Sequence, residues 1–160
     1  MNSHIMPNIT TDQTDLRILR ALQADASLSN VALAQIVGLS PSPCLRRVRA
    51  LEAAGVIRGR AAIIDAAAVG LPVSVFLQVT LERQTEVNLE AFESAVTDAP
   101  EVMECYLMTG DADYLLRVVA PDLDAYHRFL MDRLTSLPGV ANIKSIFALR
   151  QVKYGYSLPI

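Results

Sequence analysis

Apolar and polar positions follow two different rhythms along this chain, helical in the first third and strand-like alternating with helical afterwards. From Asp12 to Ala24, Ile18, Leu19 and Leu22 recur at helical spacing and predict an amphipathic helix with that face inward. A shorter helix, from about Asn30 to Val37, would bury Leu33, Ile36 and Val37 and stop at the compact turn Gly38-Leu39. The third helix can be capped by Ser40 or Ser42, carries Pro41 and Pro43 where a first turn needs no donor, and meets a left-handed stop at Gly55. At about 100° per residue its inward side holds Cys44, Leu45, Val48 and Leu51. Its other side holds Ser42, Arg46, Arg49, Ala50 and Ala53, with Arg47 on the flank. Beyond Gly55, residues 56 to 64 could form a small wing or a leading strand.

The rhythm then changes. Val73, Val75, Leu77, Val79 and Leu81 alternate with Ser74, Phe76, Gln78 and Thr80, which predicts a strand with one apolar face. Asn88 can cap a following helix lined by Leu89, Phe92 and Val96 and ended before Pro100. Val102 to Met108 and Tyr114 to Ala120 read as two strands joined by the turn 109 to 113. Asp122 caps a helix in which Leu123, Tyr126, Leu130 and Leu134 recur until Leu137-Pro138-Gly139, and a last strand runs from about Val140 to Val152. Strand, helix, strand, strand, helix, strand is the ferredoxin-like βαββαβ plan, an antiparallel sheet with both helices on one face. The fold class is therefore α+β, three helices followed by a ferredoxin-like domain; the boundaries, a winged helix-turn-helix over 6–58, a hinge strand and linker over 59–70 and the ferredoxin-like domain over 71–160, are those that the family resemblance given below implies. The sheet face carrying Phe76 is left open and calls for a partner subunit.

Composition narrows the possibilities. With 160 residues and 52% hydrophobic content, the chain has ample material for a core. No apolar run is long enough to span a membrane and no basic segment precedes a hydrophobic one, so a cytoplasmic location is expected. Met1-Asn2-Ser3-His4-Ile5 reads as an expression remnant before a start at Met6, which sets His4 aside. Cys44 and Cys105 lie far apart with no histidine cluster near them, as small buried thiols in a reducing compartment would. No metal site is expected, nor a cofactor.

Charge divides where the rhythm divides. Residues 1 to 65 hold seven arginines and five acids, a balance of +2, while residues 66 to 160 hold seven bases and twelve acids, a balance of −5. A basic end on an acidic protein suffices for phosphate contacts. Arginines on one helix face are commonly only solvated. Here they sit on the second helix of a helix-turn-helix, where such a face meets the major groove and arginine forks onto guanine edges. The candidate DNA contacts are Asn30, Ser40, Ser42, Pro43, Arg46, Arg47 and Arg49.

An enzyme is disfavoured by inventory. His127 lies on an amphipathic helix, where a histidine is more often structural or exposed than a general base, no serine or cysteine has a recognisable base partner, no glycine-rich phosphate loop occurs and no carboxylate cluster has metal spacing. An architectural DNA-binding protein that ignores small molecules shares the arginine helix and stays open at this point. So does a ferredoxin-like small-molecule enzyme, with less support. Taken by itself, the turn 109 to 113 is a hairpin bend with aspartates in water.

Residues 12–22, 28–30, 33–34, 37–48, 51–52 and 55–57, then Gly110-Asp111-Ala112-Asp113-Tyr114-Leu115-Leu116, Leu137-Pro138-Gly139-Val140 and Ser157-Leu158-Pro159, carry a resemblance over nearly the whole chain. The chain resembles the leucine-responsive regulatory protein and AsnC family of bacterial and archaeal transcription regulators. The resemblance implies a sequence-specific regulator of double-stranded DNA whose assembly and binding respond to an amino acid. It implies a homodimer formed through the sheet, commonly built into rings of four dimers. It also implies an effector beside the Gly110 turn, with Met108, Thr109, Gly110, Asp111, Asp113 and Tyr114 as candidates. In that role, N–H groups near Gly110 could hold an α-carboxylate and Asp111 or Asp113 an α-ammonium, with Met108 and Tyr114 as an apolar wall. Arg60 stands where relatives often carry an aromatic residue and offers an extra basic contact. Gly155-Tyr156 replaces common threonines.

Overall fold

The computed structural model describes residues 10 to 160; the expected remnant, His4 and the start at Met6 lie outside the described residues. The chain forms two compact units. Of the described residues, one unit comprises 10 to 62 together with Lys153–Ile160, and the other is Ile63–Val152. The tail, residues 153 to 160, has its contacts with the first unit.

Three helices build the first unit: α1 (Gln13–Ala24), α2 (Asn30–Val37) and α3 (Pro41–Ala53). Each boundary has a local cause. Asp12 caps α1 by accepting from the N–H groups of Thr14 and Asp15, and Asp15 returns the bond by accepting from Asp12 N–H, a reciprocal capping box. Ser29 caps α2 through Ala32 N–H. Gly38 closes α2 in the left-handed region at φ 71°, letting Leu39 N–H reach back to Ala34 O. The core between the helices is Ile18, Leu33, Ala34, Val37, Cys44, Val48 and Leu51.

Two residues expected inside are not. Ile36 is 60% exposed, because it lies about 160° round the helix from buried Ala34 and about 100° from buried Val37. Leu45 is 37% exposed for the same reason beside Cys44. Residues 56 to 64 form no strand, which corrects the expected leading strand. Further on, Asp65 accepts from Ala68 N–H and a single helical turn closes at Gly70.

In the second unit, β1 (Val73–Leu81), α4 (Glu86–Thr97), β2 (Val102–Leu107), β3 (Tyr114–Ala120), α5 (Leu123–Phe129) and β4 (Val140–Phe147) follow the expected order. The sheet order is β2-β3-β1-β4, antiparallel throughout, with Leu77 opposite Leu116 and Ser145. Alternation puts Val75, Leu77, Val79 and Leu81 under the helices, against Phe92, Val96, Phe129 and Leu134. Burying each such side chain contributes roughly 1.5–3 kcal/mol, so the two-residue period decides which face of β1 is covered.

Details differ at the helix ends. Thr85, not Asn88, caps α4, its hydroxyl accepting from Asn88 N–H. Asp122 caps α5 as expected, but Leu123 in its first turn is exposed and Phe129 points inward instead. α5 runs into a wider π-type turn, Leu130–Leu134, in which Thr135 N–H bonds back to Leu130 O. The extra residue per turn returns Leu134 to the core. β4 ends at Phe147, short of the expected Val152.

Candidate nucleic-acid interface and effector turn

On α3 the buried side is Cys44, Val48 and Leu51, which leaves Ser42, Arg46, Arg49, Ala50 and Ala53 exposed together. Ser40 holds the cap position without a side-chain cap bond, and Pro41 follows as the first helical residue. The side chains of both serines stay exposed at the helix start. Pro43 is half-buried. Among the described residues, Arg46 and Arg49 form no ion pair and no side-chain hydrogen bond. Two charges and three small side chains on one free face suit a groove lined with phosphates.

Three further residues considered for DNA contact, Arg47 on the flank of α3, Asn30 and Arg60, have partners within the protein. Arg47 turns back to α1, its Nη1 lying 2.8 Å from both Asp12 Oδ2 and Asp15 Oδ1. The hydrogen bond to Asp15, then that to Asp12, raises its pKa, and Asp15 N–H followed by Arg47 holds the Asp12 carboxyl below its ordinary value. Asn30 donates from Nδ2 to Pro41 O at 2.8 Å, tying the start of α2 to the start of α3. Arg60, the extra basic group, pairs with Glu52 at 3.2 Å. An acid at the end of the neighbouring helix, invisible to any one-helix projection, is the reason in two of these cases.

The turn between β2 and β3 is held from both sides. Met108 N–H donates to Asp113 O at 2.8 Å and Asp113 N–H to Val79 O at 2.9 Å. Asp113 is buried, its Oδ2 accepting from Leu81 N–H at 2.6 Å and its Oδ1 from the Gln84 amide. Both of its oxygens are engaged within the domain, so of the two acids expected as alternatives for an ammonium group Asp111 is the exposed one. Tyr114 is also withdrawn: 1% exposed, stacked on Phe92 at 4.6 Å, its hydroxyl donating to Glu93. Burial first, then Glu93, raises its pKa. It belongs to the core rather than to an outer wall.

Met108, Thr109, Gly110 and Asp111 remain exposed, with Gly110 at φ 129°, a conformation that L side chains rarely adopt. Among the described residues, the N–H groups of Thr109, Gly110 and Asp111 make no hydrogen bond. Free donors on a fixed turn are what an anionic group requires.

Of the cysteines, Cys44 is buried as expected while Cys105 is exposed; both are free thiols. Although the residue is exposed, partial desolvation of its sulfur and then the charge of Glu93 push the Cys105 thiol up to about 11. No helix of the described residues is long and apolar enough to cross a membrane.

Comparison with known proteins gives one match to each part of the chain. Residues 11–58 match the model described as winged helix-turn-helix DNA-binding, and residues 74–158 match the Lrp/AsnC ligand binding domain. The chain belongs to the Lrp/AsnC family. It is 52% identical over 149 residues to the Bkd operon transcriptional regulator of Pseudomonas aeruginosa, covering 93% of this chain and 97% of that one. It is 39% identical over 160 residues to the leucine-responsive regulatory protein of Escherichia coli K12, covering 100% and 98%. A transcriptional regulator of Neisseria meningitidis, solved as a complex with L-Met, superposes with a TM-score of 0.86 at 41% identity over 94% and 97% of the two chains. This Lrp/AsnC protein is accordingly a DNA-binding transcription regulator with an effector-binding domain, and α3 is its second helix of the helix-turn-helix.

Proposed function

We propose that this regulator reads operator DNA through Ser42, Arg46 and Arg49 and senses an amino acid at the turn from Met108 to Asp111. The observation that carries the effector half is the row of unbonded N–H groups at Thr109, Gly110 and Asp111, on a turn pinned by buried Asp113. Those donors would take the α-carboxylate, Asp111 the α-ammonium, and Met108 an apolar side chain. The L-Met complex of the Neisseria relative supports this class of ligand.

Subunits pair through the open sheet face, where Phe76, Tyr106 and Ile146 stand among Gln78, Thr80 and the Arg117–Glu104 ion pair. Tyr106 and Ile146 are 53% and 40% exposed in the single chain. Dimers assemble further, to an octamer, and the bound amino acid shifts that association and with it the spacing of the DNA-reading helices. A linkage of about 1–3 kcal/mol would change DNA affinity five- to 150-fold.

Calorimetry with the twenty amino acids, L-methionine and L-leucine first, tests the effector, and elution volume with and without the hit tests the assembly. Heat with at least one amino acid is expected, together with a changed elution volume and a changed gel shift. No heat with any of them overturns the sensing role. DNA binding indifferent to a ligand that does bind would return the architectural role.

A further inference from the structure

We propose that Arg47 is a positioning residue for DNA reading: by bridging Asp12 and Asp15 it fixes how α3 is set on α1, and it takes no phosphate itself. This rests on α3 being the docking helix.

The geometry is specific. Both carboxylates belong to the capping box at the start of α1, where backbone N–H groups already hold them in place. Asp15 has a side chain only 12% exposed, so its charge is compensated locally rather than by water. A single nitrogen of Arg47 reaches both acids at 2.8 Å. The remaining contact between α1 and α3 is apolar, through Ile18, Cys44, Val48 and Leu51, and apolar contact is not directional. A charge-assisted bond between groups of fixed orientation is directional. Arg47 lies between Arg46 and Arg49 in sequence, so a small rotation of α3 about its axis displaces both free guanidinium groups.

Electrostatics and positioning predict opposite signs for one variant. Removing two negative charges from a DNA-binding unit should tighten binding if only long-range charge matters. If Asp12 and Asp15 hold α3 through Arg47, removing them should weaken it. In the Asp12→Asn/Asp15→Asn variant the side-chain oxygens can still cap α1, because asparagine caps about as well as aspartate.

The test measures operator affinity against salt for the full chain carrying Asp12→Asn/Asp15→Asn, Arg47→Met, Arg47→Lys and Arg46→Ala, well below each melting temperature. Expected are losses of about tenfold for the aspartate pair and for Arg47→Met, with the salt slope of the parent. Arg47→Lys, which keeps a charge that can reach one acid, should recover part of the loss. Arg46→Ala should lower the slope by about one, as a lost phosphate contact does. A slope lowered by Arg47→Met, or tighter binding by the aspartate pair, overturns the inference. If Arg47→Met does not fold, the aspartate pair still decides. Parent-like binding by Arg46→Ala together with Arg49→Ala would instead discard α3 as the docking helix, a separate failure.

Discussion

Asp113 Oδ2 accepts the backbone N–H of Leu81 at 2.6 Å, joining the end of the β2–β3 turn to the end of β1. Both residues are buried, so the bond is made away from water and its loss leaves an unsatisfied donor. Asp113→Ala should cost about 1–3 kcal/mol of stability and release the turn. Thermal unfolding checks the first effect. Calorimetry checks the second, with amino-acid binding lost; unchanged binding would make the turn independent of its anchor.

Arg46→Ala and Arg49→Ala should each weaken operator binding while leaving the elution volume of the oligomer as it is. A side chain on a base edge is worth roughly 1–3 kcal/mol, one on a phosphate about one unit of salt slope. Gel shifts at two salt concentrations distinguish these, and the exposed, unpaired state of both arginines predicts little change in melting temperature.

Gly38 should not tolerate alanine well. At φ 71° the backbone is in the left-handed region, and a Cβ there would meet nothing within 4 Å, so the cost is conformational alone. About 1 kcal/mol is expected, and the matching few-degree drop in melting temperature is the check. An unchanged melting temperature would mean that the α2–α3 turn adopts another conformation.

The tail is held to α1 by Gln23, which accepts Leu158 N–H at 2.5 Å and donates to Leu158 O at 3.3 Å, and by Arg20, which donates to Ile160 O at 2.6 Å. Gln23→Ala should speed amide exchange at Leu158 by the loss of both bonds, with α1 itself unaffected. Hydrogen exchange by mass spectrometry reads this directly.

Placing a charge on the open sheet face should separate subunits. Ile146 lies opposite Phe76 and is 40% exposed, so Ile146→Glu leaves the single chain folded but buries a charge in any dimer formed there. Light scattering should then give the mass of one chain. A dimer of parent stability would place the subunit contact elsewhere.

Periodicity alone determined most of the architecture. The 3.6-residue spacing of Leu33, Val37, Val48 and Leu51 and the two-residue alternation from Val73 to Leu81 set which faces are buried, because each apolar side chain has only one covered side to occupy. The cap at Asp122, the turn at Gly38 and the left-handed glycine at 55 marked ends for equally local reasons, while the caps at Asp12 and Ser29 were seen only in the structure. The free pair Arg46 and Arg49 was visible on a helical projection. What only the tertiary structure decided is where polar groups find partners. Arg47 turns to α1 because two acids 32 and 35 positions earlier come within 2.8 Å of it, and Asp113 is held inward because Leu81 N–H and Gln84 reach it from the end of β1 and beyond. Hydrophobic burial depends on a residue's own neighbours along the chain and is written in its period; a hydrogen bond or ion pair depends on the atom that folding brings opposite, and no period records it.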